Sequence, residues 1–147
     1  MEILVMSREQ ARLFEHDKPY AIIGINGTHN SEISYIYSDK MVTVLRVEFD
    51  DIMRPLKGMT LFNADIAEQI WKFVDWIHDE IDLLMVHCDS GISRSAAVAA
   101  AISKVYNGHC TKYFNWYCPN QHVYKTMLKN IPHETKKTKK LETIPVL

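Results

Sequence analysis

At 147 residues the chain is long enough for one ordinary domain with a real core, without disulfides or metal to hold it. Hydrophobic residues make up 47% and charged residues 24%, a globular balance, and a formal net charge of -1 excludes a global pull toward nucleic acid or an acidic membrane surface. The three cysteines, Cys88, Cys110 and Cys118, form neither a metal-type spacing nor a disulfide framework, which fits a reducing, cytoplasmic setting.

The opening MEILVMSREQ lacks the basic stretch and apolar core of a signal peptide, and no apolar run approaches the ~20 residues needed to span a bilayer. Ile3–Met6 reads as a short strand. Ser7 with Gln10 three residues later forms a capping box, which predicts a helix from about Arg8 to Glu15. Tyr20–Ile25 is a second strand, ended by Asn26-Gly27. His29–Lys40 has no assignable pattern. Met41–Phe49 alternates, with Met41, Thr43, Leu45, Val47 and Phe49 on one side, as a strand with one apolar face does.

Pro55 and Gly58 make the stretch from Asp50 to Phe62 a loop. Asn63 caps a helix whose first turn carries Asp65, and Ile66, Ile70, Phe73, Val74, Ile77 and Ile81 form its buried stripe. Trp71, Phe73 and Trp76 read as packing residues on it. Leu83–His87 is short and apolar, as a buried central strand is. An Ala-rich helix follows from Ser95 to Asn107, stopped at Asn107-Gly108. A short helical piece is predicted around Thr111–Trp116, its aromatics forming a satellite core. Pro119-Asn120 opens a last helix through about Leu128. Residues 1–130 are thus expected to form one domain, and 131–147 a polar, basic, solvated tail with KKTKK at 136–140. Strands alternating with helices predict an α/β fold: a mainly parallel sheet of four or five strands flanked by helices on both faces.

In such a sheet, ligands sit beyond the carboxyl ends of the strands, and the loop after Val86-His87 lies at such an end. It reads HCDSGISRS, from His87 to Ser95. A buried strand delivers Cys88 to the sheet edge, and Arg94 stands at the entrance of the next helix. Between them Asp89, Ser90, Gly91, Ile92 and Ser93 can curl around one small anion, their N–H groups inward and the helix dipole behind them. Gly91 permits backbone geometry that other residues resist. Arg94 offers a planar fork matched to two phosphate oxygens. The field that holds a phosphate also favours a thiolate, so Cys88 is a nucleophile aimed at phosphorus.

HCDSGISRS resembles the active-site loop of the protein tyrosine and dual-specificity phosphatases, His-Cys-x5-Arg-Ser/Thr. The similarity extends over roughly Tyr20 to Leu128 and is to the compact dual-specificity type. It implies a two-step reaction without metal or cofactor. Cys88 attacks phosphorus, Arg94 stabilises the transferring group, Ser95 donates to the departing sulfur, and His87 orients the loop and favours the thiolate. It also implies an Asp after the strand that precedes the long helix, acting as general acid and then base. In VEFDDI the candidates are Asp51, favoured at the strand end, and Asp50 in reserve. Asp89 is expected to turn outward to solvent, and its charge argues against phosphoinositides. The expected substrate is a phosphorylated protein, on tyrosine and possibly serine or threonine, with no nucleic acid or membrane partner. Two alternatives compete: a module that binds phosphoprotein without turnover, and another Cys-loop enzyme such as a sulfurtransferase or arsenate reductase. Cys110 and Cys118 are further candidates for protecting Cys88 by a disulfide on oxidation.

Overall fold

The computed structural model describes residues 1–133 and 135. Four strands, β1 (Glu2–Met6), β2 (Tyr20–Asn26), β3 (Met41–Glu48) and β4 (Leu83–His87), form one sheet in the order β1-β4-β2-β3. Every pairing is parallel. The register Met6↔His87 on one side and Gly24↔His87 on the other puts β4 at the centre, with all carboxyl ends along one edge.

Among the described residues the sheet is joined by the α-helices α1 (Arg8–Arg12), α2 (Ala64–Ile77), which runs on into a 3-10 turn at His78–Glu80, α3 (Arg94–Asn107), α4 (Thr111–Trp116) and α5 (Gln121–Lys129). The capping box at Ser7 and Gln10 is formed, but α1 ends at Arg12, before the expected Glu15. Five residues give α1 a single turn, too short to hold itself without the tertiary contact of Ala11. Asn63 and Asn120 each cap their helix through the side-chain oxygen, on Ile66 N–H and Val123 N–H. Gly108 ends α3 at φ 79°, the left-handed geometry of a helix stop.

Alternation along the strands divides the core. Ala21, Ile23 and Ile25 of β2, with Leu84 and Val86 of β4, face a large layer that includes α2, α3 and residues of α4 and α5. Tyr20 and Ile22, with Leu83 and Met85, face a smaller layer closed by Ala11 of α1 and by Ile33. Helices therefore lie on both faces, four against one. α3 is buried from Arg94 to Ser103. Its alanines allow close approach to β1 and β4 on one side and to α4 and α5 on the other. Trp71 of α2 is buried and donates from Nε1 to the Met127 carbonyl of α5 at 2.8 Å, while Trp76 lies on the exposed side. The aromatics of α4 form no separate satellite core: Tyr113 is buried in the large layer with Tyr117 packed against it, Phe114 lies edge-on to Tyr124, and Trp116 is exposed.

The expected solvated tail begins differently: Thr135 is buried and donates to the Asp75 carboxylate of α2. The KKTKK run lies outside the described residues. Among the described residues no helix is long and apolar enough to cross a membrane.

Candidate active site

Because the strands are parallel, four connections converge at one edge: Ser7 and Arg8 after β1, Gly27–Asn30 after β2, Asp50 and Asp51 after β3, and Cys88–Arg94 after β4. Cys88 continues the alternation of Leu84 and Val86, so its side chain lies against the large layer and is 1% exposed. Its Sγ is 3.1 Å from Ser95 Oγ in the first turn of α3. Against a thiolate, the serine hydroxyl is the donor.

The loop is held from outside by its carbonyls. Arg8 N–H donates to Asp89 O, Cys118 N–H to Ile92 O and Asn120 N–H to Ser93 O, each at 3.1 Å. Outward carbonyls leave the intervening amides to face the loop interior, and the α3 dipole adds to their field. Gly91 sits at φ 71°, and a Cβ there would stand 2.5 Å from Ser7 N and 2.6 Å from Met6 C. No other residue fits between the loop and the end of β1.

Arg94 is 7% exposed and donates from Nη1 to Phe49 O at 3.0 Å and from Nη2 to Asp89 Oδ2 at 3.2 Å. Asp89 was expected to face solvent; instead its carboxylate turns across the loop to Arg94. Asn30 Nδ2 holds the same oxygen at 2.6 Å. The reason is electrostatic: Arg94 and Arg8, the latter 3.9 Å from Oδ1, provide more stabilisation than water does.

The two candidate acids differ sharply. Asp50 is buried and accepts from Thr28 N–H (3.0 Å), the Thr28 hydroxyl and Thr60 N–H (2.7 Å). Burial works to raise its pKa, but the hydrogen bonds from Thr28 and Thr60, with Arg94, outweigh it and hold the group below the ordinary carboxylate value. Asp51 is exposed, and its Oδ1 accepts from Ser93 Oγ and Asn120 Nδ2, both at 2.8 Å. Asp51 therefore hangs over the loop, whereas Asp50 is fixed in its wall. A cleft of about 290 Å³ opens here, lined by Asp50, Asp51, Met59, Asp89, Arg94 and Asn30 among others.

His87 points to the opposite face from Cys88. Its Nε2 is 2.5 Å from the Tyr35 hydroxyl. Burial, with Arg46 and Arg8 adding to it, pushes its pKa down to about 4, so the ring is neutral at neutral pH. Tyr35, raised to about 12 mainly by burial, keeps its proton, and Arg46 lies 4.8 Å over its ring. A Cβ at Gly24 would come within 2.5 Å of the Tyr35 hydroxyl and 2.9 Å of His87 Nε2, so the glycine keeps this contact open.

No protein-family model matches the sequence, and no curated protein matches it by sequence. Solved structures do. The human tyrosine phosphatase-like serine/threonine/tyrosine-interacting protein is 16% identical with a TM-score of 0.62, over 86% of this chain and 89% of that one. Human DUSP28 is 16% identical with a TM-score of 0.55, over 92% and 94%. The Cydia pomonella PTP-2 phosphatase is 18% identical with a TM-score of 0.53, over 87% and 84%. This is the compact fold of the dual-specificity and tyrosine phosphatases.

Within this phosphatase fold Asp50, Asp51, Asp89 and Arg94 line one cleft, Cys88 and Ser95 are paired in the buried interior at the two ends of the loop, and His87 faces Tyr35 on the other side of the sheet. Several residues of the site had no sequence motif to reveal them: Thr28, Asn30, Tyr35 and Asn120. Asn120 was visible only as a helix start. Cys110 Sγ is 3.6 Å from the Tyr124 hydroxyl, and Cys118 is exposed beside Ile92; all three cysteines are free thiols. Among the described residues no cluster suits a metal ion.

Proposed function

We propose that the protein hydrolyses phosphate monoesters on phosphorylated proteins through a phospho-cysteine intermediate. The observation that carries this reading is the pairing of Cys88 Sγ with Ser95 Oγ at the base of a loop whose Asp89, Ile92 and Ser93 carbonyls are tied to Arg8, Cys118 and Asn120. A phosphate seated there takes its hydrogen bonds from the loop amides of Asp89 to Ser93 and from Arg94. The Cys88 thiolate attacks phosphorus, the P–O bond to the leaving group breaks, and Asp51 passes its proton to the departing oxygen. In the second step Asp51 takes a proton from water, the water oxygen bonds to phosphorus, and the S–P bond breaks. Ser95 then stabilises the thiolate that leaves. Asp50, ionised and held by donors from Thr28 and Thr60, fixes the Thr28 turn rather than moving a proton.

The ring of a phosphotyrosine can pack on Met59, which lines the cleft and is exposed. Phosphoserine and phosphothreonine are the second substrate class. The three free thiols suit a cytoplasmic protein. A second reading, phosphoprotein binding without turnover, is favoured by the similarity to a protein described as phosphatase-like and interacting. Hydrolysis of para-nitrophenyl phosphate in EDTA, from about pH 5 to 8, separates the two. Turnover by the wild type that Cys88→Ser abolishes supports the enzyme. An inert wild type with its thiol reduced leaves the binding module.

A further inference from the structure

We propose that Asp89 is a built-in competitor for Arg94: its carboxylate holds Nη2, one of the guanidinium donors that a phosphate takes, and Arg8 receives the carboxylate when phosphate enters. The inference rests on the phosphatase reading of this loop, and it concerns affinity rather than turnover.

Arg94 spends both Nη atoms inside the protein. Nη1 is committed to the Phe49 carbonyl, which belongs to the wall, so a phosphate has to draw on Nη2 and Nε, and Asp89 holds Nη2. The Asp89 carboxylate is poised for that exchange. Oδ2 is shared between Arg94 at 3.2 Å and Asn30 at 2.6 Å. Oδ1 is buried without a hydrogen bond among the described residues, yet lies 3.9 Å from Arg8 Nη1. A buried carboxylate oxygen without a donor is costly, and a small rotation toward Arg8 would supply one. Arg8 itself donates to Ser31 O at 2.5 Å and Asn26 Oδ1 at 3.4 Å, so it is a fixed cation beside which the displaced carboxylate can settle.

The consequence is a loop that binds oxyanions less tightly than its donors alone would allow. A phosphate dianion must displace an anion already in place and then sit beside it, and repulsion between neighbouring charges at partial screening corresponds to about tenfold or more in affinity. Inorganic phosphate, the product, therefore leaves readily.

The test is protection of Cys88 from iodoacetamide by inorganic phosphate, which needs no turnover. Asp89→Asn keeps the shape and removes the charge; Asp89→Ala is the second variant should the first not fold. The expected result is protection at roughly tenfold lower phosphate for either variant than for the wild type. Arg8→Gln should weaken phosphate binding several-fold in the wild-type background and have no such effect when Asp89 is already Asn, a coupling that a merely structural arginine would not show. Equal or weaker phosphate binding in both Asp89 variants would overturn the proposal, and so would an Arg8→Gln effect that is the same in both backgrounds. Absence of turnover in the wild type would instead count against the phosphatase reading and leave these binding ratios standing.

Discussion

Asn120 Nδ2 donates to Asp51 Oδ1 at 2.8 Å and to Ile52 O at 3.1 Å, while its own Oδ1 caps α5 at Val123 N–H. One side chain thus ties the segment after β3 to the helix behind it. Its backbone N–H also holds Ser93 of the phosphate loop. Asn120→Ala should cost about 1 kcal/mol in stability through the lost cap. It should also cost about tenfold in kcat on phenyl phosphate, whose leaving group needs the proton, and much less on para-nitrophenyl phosphate. Asn120→Asp keeps a capping oxygen but places a charge on Asp51, and should show the same split between substrates. Parallel losses on both substrates would argue that Asn120 does not act through Asp51.

The two adjacent carboxylates should separate cleanly on mutation. Asp51→Asn should remove the fall of kcat/KM at higher pH that an essential acid imposes, with little change in stability, because Asp51 is exposed. Asp50→Asn should retain that limb and destabilise the fold by roughly 2 kcal/mol, since the amide cannot accept from Thr28 and Thr60 together. Circular dichroism melts alongside the pH profiles check both statements.

Stability should fall with acid in two stages. His87 binds a proton in the unfolded chain near its ordinary value of 6.5 and in the folded chain only near 4. Its contribution is therefore complete above about pH 6.5 and is lost as pH falls from there to about 4, on the order of 3 kcal/mol in all. Asp50, held below its ordinary value of 3.8, contributes above that pH and loses its contribution as pH falls further. Urea titrations from pH 7 to 4 should show the first loss. In His87→Asn it should shrink, even if the variant is less stable at pH 7.

Gly91→Ala should be among the most damaging single changes to the loop. The added methyl meets backbone, not a side chain that could move, and the φ of 71° is itself unfavourable for alanine. A loss of roughly 2 to 4 kcal/mol is expected, together with loss of phosphate binding. A variant of wild-type stability that still bound phosphate would show the loop to be looser than this packing requires.

Much of this was legible in the sequence because its local signals agreed with the global fold. LLMVH between a capped amphipathic helix and an Ala-rich one reads as a central parallel strand, and it is one. HCDSGISRS announced its own geometry, since a glycine, an arginine and a helix start at those spacings are what an anion cradle needs. What stayed hidden came from segments without period. Residues between Gly27 and Lys40 form no regular element, yet supply Thr28, Asn30 and Tyr35 to the site. Their positions depend on tertiary hydrogen bonds that no spacing reveals. Asp89 was misjudged for a related reason: a loop carboxylate reads as solvated until Arg8, remote in sequence, is brought alongside by the β1–β4 pairing. Asp50 and Asp51 are neighbours in sequence, and only Thr28 and Thr60 on one side and Ser93 and Asn120 on the other give them different surroundings.

The most direct test of the central claim is to trap the intermediate. The Asp51→Asn variant, which should slow the second step, is mixed with para-nitrophenyl phosphate, quenched in acid, digested and analysed by mass spectrometry. The expected result is one phosphoryl group on the peptide containing Cys88, absent when Cys88→Ser is added. Turnover by the wild type with no phosphoryl adduct at any quench time, or with the adduct on a peptide lacking Cys88, would contradict it.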